Sequence, residues 1–526
     1  MDKRFKSAVF TFIGCVIWTL TANFLAPSWN YPMSADNLGM GSNMLRNTDK
    51  DIEVIFVGGS NIEYGISPMY LYEKKHIKSY NLGTGGQPIE CTQFLIEEVF
   101  RQGFKPKVIV VDPQVLFSNV EDEARFRETI DNIPFSDHKY YLLKQYYDLH
   151  FRSASESAKS RTIPELISQL YRYHSRWDKL DSSDFYPKQD DDYFMYGYYS
   201  YPMVNPVYSS REFVDYIGEL LANNNNNSYT TKIRSYNAEV VIELKQLCQK
   251  NNCNIVFVKM PMQIDALSHG SSWTKSRYES TLEFLSKQEI PFIDLNYDVD
   301  IGIDWNSDTC DSGIHMNLVG AEKVTAFLAQ YLDECYDFNK SMSLDFQEHQ
   351  ATYDKYSKVT HVALEQDLHN YLSILSASKM NYLIILSAKN GMKSGLCEAD
   401  IKGLSYIDPT TEFNNMGEAD SYIAVLCGDD RYVNVSSEHQ VYRKQINNLQ
   451  IVVESAGYLD GNVSSILING QEYSMNQRGI NIVVYDKESG LVVDRATCDT
   501  WAPEHEVKHD VGNLLFEYQE YLLGRK

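Results

Sequence analysis

Two stretches of this chain, far apart in sequence, carry side chains able to do acyl chemistry. The first is Val54-Ile55-Phe56-Val57-Gly58-Gly59-Ser60-Asn61, an apolar run ending in two glycines and a serine. The second is Asp311-Ser312-Gly313-Ile314-His315-Met316-Asn317-Leu318, with an aspartate and a histidine just ahead of a helical pattern. A serine hydroxyl is a poor nucleophile until a histidine takes its proton and a carboxylate orients that histidine. Ser60, His315 and Asp311 are therefore the candidate nucleophile, base and orienting acid. Brought together by folding, they would transfer an acyl group through an acyl-serine. Kept apart, they would leave a binding protein on an enzyme's scaffold.

The elements that must position them read as strands and helices in alternation. Val54–Val57, Ser79–Leu82 and Val108–Val111 are short apolar or β-branched runs of the kind buried on both faces of a parallel sheet. Gly58 and Gly59 permit a tight turn that presents Ser60 at the sheet edge. Asn81-Leu82-Gly83-Thr84-Gly85-Gly86 closes the second strand, and its backbone amides could face a developing oxyanion. Val111-Asp112-Pro113-Gln114 closes the third, where Gln114 offers a side-chain amide donor. Ser67-Pro68 marks a helix start, and helical spacing follows over Cys91–Phe100, Tyr236–Lys250, Tyr278–Lys287 and Leu318–Leu332. With strands at Ile255–Val258 and Phe292–Leu295, the order implies an α/β fold, a parallel sheet between two helix layers.

Residues 118–230 interrupt this alternation with a polar, aromatic insertion that includes Asp190–Tyr201 and the run Asn223–Asn227. It leaves from the carboxyl edge of the sheet, where ligands bind in such folds. It reads either as a lid or glycan platform of tyrosines, or as a helical side-lobe with an asparagine loop.

At 526 residues, two or three domains are expected. The formal net charge of −23 and the lack of any basic run argue against nucleic acid as a partner. Lys3, Arg4 and Lys6 precede an uncharged apolar run, Ala8–Leu25, within a 1–26 segment. Such a run is roughly 27 Å long as a helix, just enough to span a bilayer. The basic flank predicts a cytoplasmic N-terminus, with the bulk of the chain outside the cell membrane. A cleaved signal peptide ending near Ala22 or Ala26 is the rival reading.

Nine cysteines form no Cys-x-x-Cys pair and no zinc-like spacing, so buried thiols with at most one or two bridges are expected. His505 and His509 are four apart, but on an acidic stretch that spacing reads as solvated. No metal and no cofactor is expected, and no phosphate-binding glycine loop is present.

Residues 27–335 therefore form the first domain, and the polar residues 336–357 read as a linker. Residues 358–526 have strands at Tyr382–Leu386, Tyr422–Leu426, Leu449–Val453, Ile466–Ile468 and Ile480–Tyr485. Helical patterns at Leu364–Leu375 and Leu514–Leu523 make this a second, smaller α/β domain. Asn469-Gly470 between two strand patterns is a hairpin turn.

On these motifs the first domain resembles the SGNH (GDSL-type) hydrolase superfamily over residues 51–335 outside the insertion. Gly58-Gly59-Ser60-Asn61 is similar to the nucleophile block, and Asn81–Gly86 to the glycine block. His315–Lys323 looks like the closing block of surface-anchored bacterial members, the D-alanyl-transfer proteins of teichoic acid and the polysaccharide O-acetyltransferases. The resemblance implies Ser60 as nucleophile, His315 as base, and Gly83 with the Ser60 amide as oxyanion donors. It also implies a cell-surface polysaccharide or teichoic acid substrate and a multi-spanning membrane protein as acyl donor. Two features depart from it. Pro113-Gln114 replaces the asparagine block, a pattern that looks like the teichoic acid proteins. The family's aspartate lies three residues before its histidine, whereas here Ser312 holds that place and Asp311 lies one further back. Either the loop carries one extra residue, or Asp308 or no carboxylate fills the role. In the second domain, Ser464–Ser474, Arg478-Gly479-Ile480-Asn481 and Asp499-Thr500 resemble the interleaf (ILEI) domain. Asp367–Cys427 resembles that domain's later half, in permuted order. That resemblance implies glycan binding, with a packing scaffold as the alternative.

Overall fold

Three strands of four or fewer residues, β1 (Val54–Val57), β2 (Ser79–Asn81) and β3 (Val108–Val111), are buried along their whole length. Fully burying a valine or isoleucine side chain contributes about 1.5–3 kcal/mol, so such short runs still anchor a core. The computed structural model of the 526-residue chain describes residues 3–25, 50–118, 123–130, 136–150, 194–198, 232–262, 273–311 and 313–522, together with 133, 170, 177, 178, 180 and 200.

In chain order the first part runs α1 (Lys3–Leu25), β1, α2 (Ser60–Gly65), α3 (Pro68–Lys75), β2, α4 (Ile89–Arg101) and β3. Within the insertion lie α5 (Glu123–Ile130) and α6 (Asp137–His150). The alternation resumes with α7 (Ser235–Lys250), β4 (Asn254–Lys259), α8 (Lys275–Lys287), β5 (Phe292–Asp294) and α9 (Leu318–Cys335). The five strands pair in parallel in the order β2-β1-β3-β4-β5. The chain thus steps from β1 to one side and then crosses to β3 on the other. Where neighbouring crossovers diverge in this way, the carboxyl ends of the two strands flank a crevice. Here those strands are β1, which leads into Ser60, and β3, which leads into Gln114.

Among the described residues α1 is the one helix long and apolar enough to span a membrane. Its window Phe5–Ala22 is only 6% buried within the protein. Phe10, Phe12, Trp18 and Leu20 are all exposed, so its apolar residues are not confined to one stripe facing a core.

The remainder comprises α10 (Leu344–Leu364), α11 (Leu368–Ala377), β6 (Tyr382–Lys389), α12 (Glu398–Ile407), β7 (Ser421–Cys427), β8 (Asp430–Ser436), β9 (Gln440–Ile446), β10 (Leu449–Ser455), β11 (Ser464–Ile468), β12 (Gln471–Glu472), β13 (Gly479–Asp486), β14 (Leu491–Cys498), β15 (Val507–His509) and α13 (Gly512–Leu522). A six-stranded antiparallel sheet, β15-β14-β13-β6-β7-β8, faces a four-stranded one, β12-β11-β10-β9. The strand period of two sorts the core. Leu383, Ile385, Ile423, Val425 and Val483 pack towards Ile451, Val453 and Ile466 of the smaller sheet. Ile384, Leu386, Tyr422, Ala424 and Val484 join the larger cluster on the other face, which continues through α10 and α11 into the parallel sheet. Asn469 (φ +52°) and Gly470 (φ +81°) make the expected Asn-Gly turn between β11 and β12.

Several expectations need correction. Residues 336–357, expected as a polar linker, are largely the first part of α10, and Phe346, Tyr353 and Tyr356 of that helix are buried. Aromatic residues spaced among polar ones on a helix read as a linker only when their burial face is unknown. Tyr196 and Tyr198 of the insertion are also core residues rather than sugar-facing rings. The Tyr196 ring stacks on Phe346 with centroids 3.9 Å apart, and its hydroxyl donates to Asp345. Asp190–Tyr193, Tyr199, Tyr201 and Asn223–Asn227 lie outside the described residues. All nine cysteines are free thiols, Cys248 and Cys253 included.

α9 and α10 are joined by a polar cluster around the buried Glu322. Its carboxylate accepts hydrogen bonds from the Tyr353 hydroxyl (2.7 Å) and Ser357 (2.9 Å) and pairs with His361 Nε2 (2.7 Å). Burial by itself would raise the Glu322 carboxyl, but His361, Tyr353 and Ser357 outweigh it and hold it below the usual range. Burial would lower His361, but Glu322 outweighs that and raises it above 6.5. The His361 contribution to stability is present below its unfolded pKa and lost as pH rises through the raised one. The Glu322 contribution is lost as pH falls through its depressed one. Calorimetry from about pH 5 to about pH 9 should therefore show a thermal midpoint that declines on the alkaline side. His361→Gln should shrink that decline.

Candidate active site

Ser60 follows β1 through Gly58 and Gly59 and stands at the first turn of α2. Gly58 has φ +148°, and a side chain there would begin 2.5 Å from Asp112 Cβ and 2.9 Å from Ile62. Only glycine fits where the β1 and β3 ends come this close. As first-turn amides, the N–H groups of Ser60 and Asn61 have no intrahelical partner.

His315 comes from the loop between β5 and α9. That loop is closed by a bridge between Thr309 and Met316, with Cys310 N–H donating to the His315 carbonyl at 3.1 Å. Gly313, at φ +96°, turns the chain between them, and its N–H donates to Thr309 Oγ1 at 3.1 Å. Asp311 grips His315 twice, accepting its backbone N–H (2.7 Å) and meeting its ring Nδ1 (2.5 Å). The other ring nitrogen, Nε2, lies 2.7 Å from Ser60 Oγ. The Tyr64 ring packs against the imidazole with centroids 4.9 Å apart. Ser60, His315 and Asp311 thus form one continuous hydrogen-bonded chain, partly open to solvent.

Asp308 plays a different part. It is buried, pairs with Lys323 of α9 (2.5 Å) and accepts the Asp304 N–H (2.7 Å). Asn317 caps α9 through the Gly320 N–H (3.1 Å) and ties back to the Ser307 carbonyl (2.7 Å). These contacts fix the loop that carries His315 to the helix behind it.

The glycine block differs from expectation. The Gly83 N–H is buried and donates to Asn81 Oδ1 (2.9 Å), so it is not available to an oxyanion. Asn81, also buried, donates from Nδ2 to the carbonyls of Ile62 (2.8 Å) and Ile66 (3.0 Å). A side chain on Gly83 would begin 2.6 Å from Glu63 N. Asn81 and Gly83 therefore brace α2 under Ser60 instead of reaching into the crevice. The amides of Gly85 and Gly86 make no hydrogen bond among the described residues. Gly86 N lies 4.0 Å from where a Gly59 side chain would begin, beside the nucleophile turn. The Arg125 side chain lies against both glycines.

Gln114 stands at the β3 end, its N–H donating to Asp112 Oδ1 (3.1 Å) and its carboxamide 3.2 Å from that of Asn61. Lys259 was not singled out from sequence, because it simply ends an apolar strand, and Asn61 stood only as the last residue of the Gly58–Asn61 stretch, with no role of its own.

His505 and His509, expected to be solvated, are instead paired with carboxylates. His509 is buried between Asp494 (3.0 Å) and the Glu365 carbonyl (2.8 Å), while His505 meets Asp400 (2.6 Å). Cys397, Asp400 and His505 bring donor atoms within 4.8 Å of one another. However, Asp400 Oδ2 already accepts the Cys397 N–H and meets His505.

No family model matches the chain, and no curated protein matches it. Among solved structures it is similar to a Bacteroides fragilis protein described as an acylhydrolase, at 13% identity and a TM-score of 0.26. That match covers 58% of this chain and 97% of the other. A GDSL-like lipase from Bacteroides thetaiotaomicron matches at 11% identity and a TM-score of 0.26, over 55% of this chain and 92% of that one. Likeness at this level decides nothing about the chemistry, which rests on the distances above.

If Asp311 sets the tautomer of His315, Asp311→Asn should keep the fold and slow reaction at Ser60 by on the order of 10⁴-fold. Comparing labelling rates with an active-site-directed acylating or phosphonylating reagent measures this.

Proposed function

We propose that this protein is a serine-dependent acyl-transfer or ester-hydrolysing enzyme. The observation that carries the reading is the Ser60 Oγ to His315 Nε2 contact of 2.7 Å, continued by His315 Nδ1 to Asp311 at 2.5 Å. His315 takes the Ser60 proton as Oγ attacks an ester carbonyl, and Asp311 stabilises the imidazolium that forms. The oxyanion is held by the Ser60 N–H, with the Gly86 N–H and the Gln114 carboxamide as candidate further donors at the same sheet edge. Collapse expels the alcohol, which receives the proton from His315 and leaves acyl-Ser60. Attack by water then completes hydrolysis, and attack by a sugar hydroxyl completes transfer.

In this reading α1 tethers the enzyme to the membrane with its catalytic part outside. The positive flank Lys3, Arg4 and Lys6 supports that orientation. The substrate is a surface polysaccharide and the acyl group acetyl, delivered by a multi-spanning membrane protein. The family resemblance of the His315–Lys323 stretch and the Asn81–Gly86 stretch supports these assignments. D-alanyl transfer to teichoic acid is the variant suggested by Pro113-Gln114.

Full-length protein in detergent should be labelled by a fluorophosphonate, and Ser60→Ala should abolish labelling. Ester turnover on acetylated polysaccharide should fall by at least about 10³-fold in the same variant. If the wild type shows neither Ser60-dependent labelling nor ester turnover, the enzyme reading is wrong.

A further inference from the structure

Lys259 closes β4 with its side chain fully buried, directly behind the catalytic crevice. Its Nζ lies 5.4 Å from the centroid of the buried Trp273 ring. Among the described residues no carboxylate lies within ion-pair distance. Asp112 and Asp294 are both buried and only influence it from further off. Among the described residues the nearest acceptor is the Asn61 carboxamide, one residue beyond Ser60. Oriented with its oxygen towards Lys259, that amide accepts from Nζ at 2.9 Å, and its Nδ2 donates to the Ile314 carbonyl at 3.2 Å. The reverse orientation lets Nδ2 donate to Gln114 Oε1 at 3.2 Å but sets that NH₂ against the ammonium and Oδ1 against the Ile314 carbonyl. The first relieves both clashes, and the Gln114 carboxamide turns with it so that its nitrogen donates to Asn61 Oδ1.

An ammonium has three donors, and burying one with a single close acceptor is unfavourable for stability. A methionine of similar length would pack there without that penalty. The charge is therefore better explained by what it holds. Asn61 spans three elements: Lys259 at the end of β4, the nucleophile turn after β1, and Ile314 on the loop whose next residue is the base. Gln114 at the end of β3 touches the same carboxamide. A cation on the carbonyl side of an amide strengthens donation from its nitrogen, because linked hydrogen bonds polarise one another. Burial pushes the Lys259 ammonium down in pKa, with Arg277 adding to this, while Asp112 and Asp294 oppose it.

We propose that Lys259 is a positioning residue that acts through the Asn61 carboxamide on the Ile314 carbonyl, holding His315 in register with Ser60. It touches neither substrate nor the reacting atoms. The inference rests on the reading of Ser60 and His315 as nucleophile and base, but its geometry can be tested separately from that chemistry.

The test uses full-length protein in detergent, with Lys259→Met, Asn61→Ala, the double variant and Lys259→Arg. Fluorophosphonate labelling rates and thermal midpoints are measured for each. Lys259→Met should slow labelling by on the order of 10²-fold, the scale of a misplaced catalytic group. The same change made in the Asn61→Ala background should add little, because the path is already broken. Lys259→Arg should recover part of the rate. In parallel, imidazole NMR of ¹⁵N-histidine protein, with His315→Gln to assign the signals, reads the His315 hydrogen bonds without any turnover. Those signals should shift or broaden in Lys259→Met. Unchanged His315 signals, an unchanged labelling rate, or full additivity of the two substitutions would overturn the proposal. If the wild type is not labelled at Ser60, the enzyme reading fails, while the His315 signals still decide whether Lys259 positions that ring.

Discussion

The structure turns on one short contact, Ser60 Oγ to His315 Nε2 at 2.7 Å. A serine hydroxyl and an imidazole have chemistry together only within hydrogen-bond reach. Neither residue is placed by its sequence neighbours alone. Ser60 depends on β1 and on Gly58, which lets the β3 end approach. His315 depends on a loop whose foot is the Asp308–Lys323 pair and whose exit is the Asn317 cap of α9. The parallel sheet sets both at one edge, because every strand points the same way and every carboxyl end emerges on the same side.

This arrangement reaches well beyond the first sheet. α9 follows directly from the loop that carries the base, and α10 holds α9 through Glu322, Tyr353, Ser357 and His361. From α10 the hydrophobic core runs without a break to the six-stranded sheet. The C-terminal half is therefore packed against the element behind His315 rather than hung on a flexible connection. The same reasoning gives the polar groups under the crevice their meaning. Asn81, Asn61 and Lys259 are buried where an apolar core would be simpler; Asn81 ties α2 to the β2 end, and Lys259 meets Asn61, beside Ser60, from the β4 end.

Much of the parallel sheet was legible because buried strands read as apolar runs. Val54–Val57 and Val108–Val111 carry that pattern with no polar interruption, and Ser67-Pro68 and the Asn469-Gly470 pair mark a helix start and a turn by local chemistry. α10 was not legible as a packed helix, since Tyr353 and Tyr356 sit among charged residues and only their partners show which face is inside. Tyr196 and Tyr198 left two readings open for the same reason, as an aromatic-rich polar stretch serves equally as surface or core. Gly83 was placed correctly at the strand end, yet its amide is taken by Asn81, a side-chain choice no spacing reveals.

From the sequence alone came the kinds of group available: a serine after a strand and two glycines, a histidine ahead of a helix, and two aspartates near it. Those identities limit the chemistry, because each side chain's proton affinity and donor count are its own. Which aspartate meets His315, and whether His315 reaches Ser60, was decided only by the tertiary structure. A turn at Gly313 swings Asp311 onto Nδ1, while Asp308 is drawn away to Lys323. Hydrogen bonding falls off within an ångström or so, and positions on that scale are set by packing across the whole sheet edge.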